Sequence, residues 1–122
     1  MQPFTAKKFN IPALKGISAK TIEEHLKLYE GYVKNANLIY EKAGQYMKDA
    51  EANSYAINEL LRRLSFEFNG IRNHEIYFSS FEGGPKAPSA SSPHRAKLET
   101  KGINLEDWVI EFKKLAATMR GI

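Results

Sequence analysis

The chain has 122 residues, of which 43% are hydrophobic and 26% charged, as expected for an ordinary globular domain. Its 18 basic and 14 acidic residues give a formal net charge of +4 without a block of like charges, so the composition does not indicate a dedicated nucleic-acid binder. Because the chain contains no cysteine, disulfides, thiolate metal sites and cysteine nucleophiles are excluded.

Residues 1–17 contain two prolines and lack clear periodicity, which predicts an extended arm. They hold no apolar run of signal-peptide length, and no stretch of the chain reaches the roughly 20 apolar residues of a membrane span. We therefore expect a cytoplasmic protein with neither membrane nor nucleic-acid partners.

Two long stripes of apolar and aromatic side chains predict a helical hairpin over residues 18–82. Ser18 is a suitable N-cap for the first helix, which we expect over about 19–48, and a polar stretch near residue 50 marks the reversal. Gly70 interrupts the second stripe at a cost of roughly 1 kcal/mol relative to alanine, which suggests close packing there. The first stripe is Ile22, His25, Tyr29, Tyr32, Val33, Ala36, Tyr40, Ala43 and Met47. The second is Ile57, Leu60, Leu61, Leu64, Phe68, Ile71, His74 and Phe78.

The remaining chain predicts a linker and one or two further helices. Residues 83–93, GGPKAPSASSP, have the composition of a linker, because glycine and proline break regular structure. Asn104 is a suitable cap for a last helix that ends near Gly121, with Trp108 in its core-facing stripe. With no strand of convincing alternation, the expected fold class is all-α.

His25 and His74 are the candidate metal ligands. If the turn centres near residue 50, His25 lies about 25 residues before it and His74 about 24 after it, so an antiparallel hairpin brings both to one level. Neutral imidazole is the commonest protein ligand for transition metals. The competing interpretation is a pair of hydrogen-bonded core histidines. Two imidazoles do not complete a Mn, Fe or Zn site, so the pattern predicts half a site.

The other titratable candidates carry weaker signals. His94 follows Pro93 at the end of the linker, where we expect a solvated side chain. Glu23, Glu24 and Glu75 adjoin the histidines in sequence but not on the same helix face, which favours solvent exposure or partner contact. No metalloprotease, phosphate-loop or serine-nucleophile motif occurs.

Two segments resemble iron/manganese superoxide dismutases. Residues 18–25, SAKTIEEH, are similar to the start of the family's first long helix, and residues 68–78, FNGIRNHEIYF, resemble its second-helix motif. The resemblance implies metal-ligand roles for His25 and His74. FNIPALKGIS resembles the family's N-terminal arm, and the chain from Ser92 onward resembles the two helices that open its second domain. The implied fold is the N-terminal part of an α+β dismutase, with residues 94–122 as the helical start of an α/β domain.

Three positions near the predicted site bear on the resemblance. Tyr32 is similar to the tyrosine that guards substrate access, but it lies seven positions after His25 where the family has eight. We hypothesise a regular α-helix here, in place of a π-bulge in the family. Tyr29 replaces a common histidine that makes outer-sphere and dimer contacts. Gly70 occupies the position at which many iron enzymes of the family carry a glutamine. The glycine therefore argues against the common iron type.

The resemblance implies dismutation of superoxide to oxygen and hydrogen peroxide at one Mn or Fe ion, with Tyr32 as the catalytic residue. The family's Asp-x-x-x-His ligand pair does not occur before Ile122, so we expect this chain alone to be inactive. It would be a gene fragment, a truncated form or a split enzyme, paired as a homodimer or with a complementing C-terminal chain. The alternative is a non-catalytic scaffold or interaction subunit that kept the hairpin.

Overall fold

A computed structural model describes residues 2–86 and 89–120, and these residues form four α-helices without a β-strand. The expected all-α fold with a long hairpin is confirmed. No helix among the described residues is both long and apolar enough to cross a membrane. The chain divides into two compact units, Met1–Pro85 and Lys86–Ile122. The helices are α1 (Ala19–Tyr46), α2 (Ser54–Ser79), α3 (Pro93–Glu99) and α4 (Leu105–Thr118).

The first unit is built on α1 and α2, which pack against each other. Ser18 caps α1 by accepting a hydrogen bond from the Thr21 amide at 3.0 Å, and a 3₁₀ turn (Met47–Asp49) follows the helix, so α1 ends slightly before its expected limit. Ala36 is fully buried, which lets the helix backbones approach closely. The buried core cluster comprises Tyr29, Val33, Ala36, Ile71 and Phe78.

The N-terminal arm lies along the hairpin and is held by side chains that bind its backbone. The Asn37 amide accepts a hydrogen bond from the Phe4 N–H at 2.8 Å and donates one to the Phe4 carbonyl at 2.9 Å. Further along the arm, the Asn10 N–H donates to Glu82 Oε1 at 2.9 Å. Within the described residues the arm forms no β-ladder, so its backbone N–H and C=O groups need other hydrogen-bond partners. Side chains of the hairpin provide them at fixed positions, which makes the register of the arm specific.

The second unit contains α3 and α4. Asn104 Oδ1 caps α4 by accepting from the amides of Glu106 at 2.8 Å and Asp107 at 3.1 Å, as predicted. The expected core role of Trp108 is wrong, since this side chain is 42% exposed. The described part of this unit offers α4 only the seven-residue α3 as a neighbouring helix, which is too short to cover its apolar face. The predicted helix end near Gly121 and linker residues Ala87 and Pro88 lie outside the described residues.

Candidate metal centre

The two candidate ligands face each other across the hairpin. His25 on α1 and His74 on α2 have ring centroids 4.8 Å apart, with their planes at 84°. Both side chains are partly buried. The structure thus brings together the two imidazoles that counting from the turn placed at one level. Their role as ligands stays a prediction.

The ring of His74 has a defined tautomer. Its Nδ1 lies 2.7 Å from the carbonyl oxygen of Gly70, one turn earlier on α2. Because a carbonyl oxygen only accepts, Nδ1 carries a proton, and in the neutral ring Nε2 is the nitrogen with the free lone pair. Metal-binding histidines commonly donate their second ring N–H to a backbone carbonyl in this manner, which fixes ring orientation.

The ring of His25 is positioned by packing. Among the described residues no hydrogen bond involves it, and its centroid lies 5.1 Å from those of both Tyr77 and Phe78. Burial, and secondarily the proximity of His74, lower the pKa of His25 below its usual value. His25 is therefore neutral at pH 7, which is the form that binds a metal ion.

Tyr32 lies beside the histidine pair, with its ring centroid 5.0 Å from that of His74. α1 is α-helical throughout the segment from His25 to Tyr32, as hypothesised for the seven-residue spacing. The Tyr32 ring occupies the space above Gly70, because a Cβ added at Gly70 would lie 2.6 Å from Tyr32 Cε1 and 2.7 Å from Cγ. The glycine that interrupts the apolar stripe therefore makes room for this tyrosine.

Sequence reasoning missed a buried polar cluster behind His74. Tyr29 is 1% exposed, and its hydroxyl accepts from the Lys7 N–H at 2.9 Å and donates to Glu75 Oε1 at 3.4 Å. Glu75 Oε2 pairs with Lys7 Nζ at 2.8 Å and Arg72 Nη1 at 2.7 Å. The expectation of an exposed or partner-binding Glu75 is wrong, since it is 7% exposed. The spacing of Arg72 and Glu75, three positions apart on one helix, could have indicated this ion pair from the sequence. Lys7 is 68 positions from Glu75, and no sequence pattern indicated that contact.

The remaining candidates have exposed side chains. Glu23 and Glu24 are exposed and pair with Lys27 at 2.8 and 2.9 Å, in line with the prediction of solvent exposure. His94 is also exposed and is the second residue of α3, in the second unit. Within the described part of the hairpin, neither Glu23 nor Glu24 joins the two imidazoles in a group that could hold a metal ion.

The donor set suits a transition metal but is incomplete. Two imidazole nitrogens match the ligand chemistry of Mn and Fe, and the bound Nδ1 of His74 is the second-ring contact that such ligands make. Within residues 2–86 and 89–120, however, no group of three or more His, Cys, Asp or Glu side chains is arranged to hold an ion. The described residues therefore fit part of a metal site.

A comparison with protein-family models places this hairpin among known proteins. The model described as "Iron/manganese superoxide dismutases, alpha-hairpin domain" matches residues 7–82. The chain belongs to the iron/manganese superoxide dismutase family. No curated protein and no solved structure matched it. The family match contains His25, Tyr32 and His74 and ends before the second unit, so the resemblance of residues 94–122 to the dismutase second domain stays a prediction.

Replacing Gly70 tests the packing of Tyr32 in this dismutase hairpin. We expect Gly70→Ala to lower the free energy of unfolding by about 1–3 kcal/mol, because the new methyl group overlaps the phenol ring. Gly31→Ala is the matched control: a Cβ there meets nothing within 4 Å, so helix propensity alone should stabilise that variant by up to about 1 kcal/mol. Chemical denaturation of both variants gives the comparison, and equal stabilisation would rule out the contact.

The lowered pKa of His25 predicts a pH-dependent stability of the metal-free protein. Because the unfolded chain takes up this proton at about its ordinary pKa of 6.5 and the folded chain only at a lower pH, the free energy of unfolding should fall as the pH drops through 6.5 toward the folded pKa. The measurement is denaturation in the presence of a chelator between pH 5 and 8. His25→Gln should remove this contribution, and an identical pH slope in both proteins would contradict it.

Proposed function

We propose that this chain supplies His25 and His74 as two ligands of a mononuclear Mn or Fe site that converts superoxide into oxygen and hydrogen peroxide. The observation that carries the proposal is the 4.8 Å separation of the two rings within the region that matches the dismutase family. Neither the apolar stripes nor the fold requires two imidazoles at this point. Apolar side chains would pack there without the cost of burying polar groups.

The metal would supply one-electron redox chemistry, oxidising one superoxide in its trivalent state and reducing another in its divalent state. The chain's own residues would hold the ion: His74 through Nε2, which the bond from Nδ1 to the Gly70 carbonyl leaves free, and His25 as a neutral imidazole. Because its pKa is lowered, His25 competes little with protons for a metal ion at pH 7.

Tyr32 is the proposed catalytic residue. Its ring contacts His74 on one side and Phe66, which is 53% exposed, at a centroid distance of 6.0 Å on the other. A phenol that neighbours both a ligand ring and an exposed aromatic side chain is suited to guard the approach of a small anion and to organise water for proton delivery. Gly70 fixes that position sterically.

Further ligands are a requirement of the proposal, because two imidazoles do not complete a Mn or Fe site. We propose that they come from an Asp-x-x-x-His segment, which residues 1–122 do not contain, carried by a polypeptide that complements this chain in the cytoplasm. A homodimer of the chain is the alternative assembly, and it would not supply this segment. A second candidate is a non-catalytic scaffold, which is favoured by the lack of any three-ligand group among the described residues. Dismutation measured with and without such a polypeptide distinguishes the two.

Metal binding by the purified chain tests the half-site directly. Mn(II) at about 100 times its dissociation constant should raise the free energy of unfolding by about 2.7 kcal/mol. His25→Ala and His74→Ala should each abolish this stabilisation, because one imidazole alone holds Mn(II) too weakly. Thermal denaturation and the electron paramagnetic resonance signal of free Mn(II) provide the two measurements.

His94→Ala is the matched control, because His94 is an exposed histidine in the other unit. It should bind Mn(II) like the unmodified chain. If Mn(II) binding falls equally in His25→Ala, His74→Ala and His94→Ala, or falls in none of them, the proposed ligand pair is wrong. The scaffold would be favoured if Mn(II) binding requires both His25 and His74 but no dismutation appears when the complementing polypeptide is added.

A further inference from the structure

We propose that Tyr29 is a positioning residue for the imidazole pair, and that Lys7 of the N-terminal arm and Glu75 hold its hydroxyl in place. The inference rests on the proposed function, since it concerns the geometry of His74 as a ligand. In this role, Lys7 of the arm and the buried carboxylate of Glu75 support the metal site, although neither is a ligand.

The Tyr29 ring forms one wall of the site. It lies nearly parallel to the His74 ring, at 22° and a centroid distance of 6.3 Å. Phe9 of the arm and Phe78 of α2 pack against the same phenol at 5.9 and 6.2 Å. At 1% exposure and in a close-packed core, the phenol cannot tilt without moving these neighbours.

The hydroxyl of Tyr29 is bound on both sides. It accepts from the Lys7 N–H at 2.9 Å and donates to Glu75 Oε1 at 3.4 Å, the longer and weaker of the two bonds. Glu75 is itself held through Oε2 by the Lys7 ammonium and the Arg72 guanidinium. One arm residue therefore contributes both its backbone and its side chain to the cluster, and the carboxylate belongs to the residue directly after His74.

These contacts limit the plane of the His74 ring. The bond from Nδ1 to the Gly70 carbonyl fixes one edge of the imidazole, and Tyr29 and Tyr32 pack against the ring. With the Tyr29 phenol held, the direction of the free Nε2 lone pair is defined before any ion binds. Preorganised ligands of this kind bind more tightly than ligands that must be ordered on binding.

Tyr29→Phe is the variant that tests this role, because it keeps the ring and removes only the hydroxyl. We expect Mn(II) affinity to fall about tenfold, the lower end of the usual range for outer-sphere partners of metal ligands. Tyr40→Phe is the matched control: Tyr40 is a partly buried tyrosine of the same helix that stacks on Phe4 at 5.6 Å, away from the imidazole pair. Its affinity should be unchanged.

A second readout needs no metal. In protein labelled with ¹⁵N at histidine, the ring signals of His74 should broaden or double in Tyr29→Phe and stay single in Tyr40→Phe. A merely structural loss of stability would not move these signals selectively. Glu75→Gln, which keeps the side-chain shape but removes the charge that the two cations hold, should weaken Mn(II) binding in the same direction, and the double variant should lose less than the sum.

The outcomes separate the two proposals. If His74→Ala loses Mn(II) binding while Tyr29→Phe and Glu75→Gln bind as tightly as the unmodified chain, with unchanged His74 signals, the positioning role is overturned and the ligand pair stands. If His74→Ala itself binds normally, the proposed function fails. If Tyr29→Phe does not fold, Glu75→Gln alone decides, and unchanged affinity in that variant overturns the role.

Discussion

The close packing of α1 on α2 sets the distance between His25 and His74, and the proposed site depends on that distance. Ala36 is fully buried between the helices, and the Tyr32 ring occupies the space that any side chain at position 70 would need. Small residues at these two points let the helices approach, and the approach brings the imidazoles into contact. The catalytic tyrosine proposed for the site is thus also part of the packing that forms it.

Burial of charge is the main electrostatic cost in this hairpin, and the chain offsets it locally. An unpaired buried carboxylate would cost several kcal/mol, yet Glu75 is 7% exposed and Glu67 is 2% exposed. Glu75 is held by two half-exposed cations and Tyr29. Glu67 is held only in part, because Arg63 pairs with its Oε1 at 2.7 Å while its buried Oε2 has no hydrogen-bond partner among the described residues. His25 avoids this cost in another way. Burial lowers its pKa and favours the neutral imidazole, so that ring offers a lone pair without a buried charge.

The hairpin, its Ser18 cap and the level of the two histidines follow from local sequence, because helix periodicity, the capping residue type and the distance from the turn determine them. The Asn104 cap and the space required at Gly70 were readable for the same reason. The Lys7–Glu75 pair was not, since it joins residues 68 positions apart through an arm that has no periodic pattern. Trp108 was misread because an apolar stripe indicates which face a helix can bury, not whether another element covers it.

The central claim is that the two imidazoles bind one ion. The most direct test follows the NMR signals of the histidine rings during a titration with Mn(II). In ¹⁵N-histidine-labelled protein, substoichiometric Mn(II) should broaden the rings of His25 and His74 together, through paramagnetic relaxation. In His25→Ala the ring of His74 should stay sharp, and in His74→Ala the ring of His25 should stay sharp. Broadening of the remaining ring in either single variant would contradict a shared site.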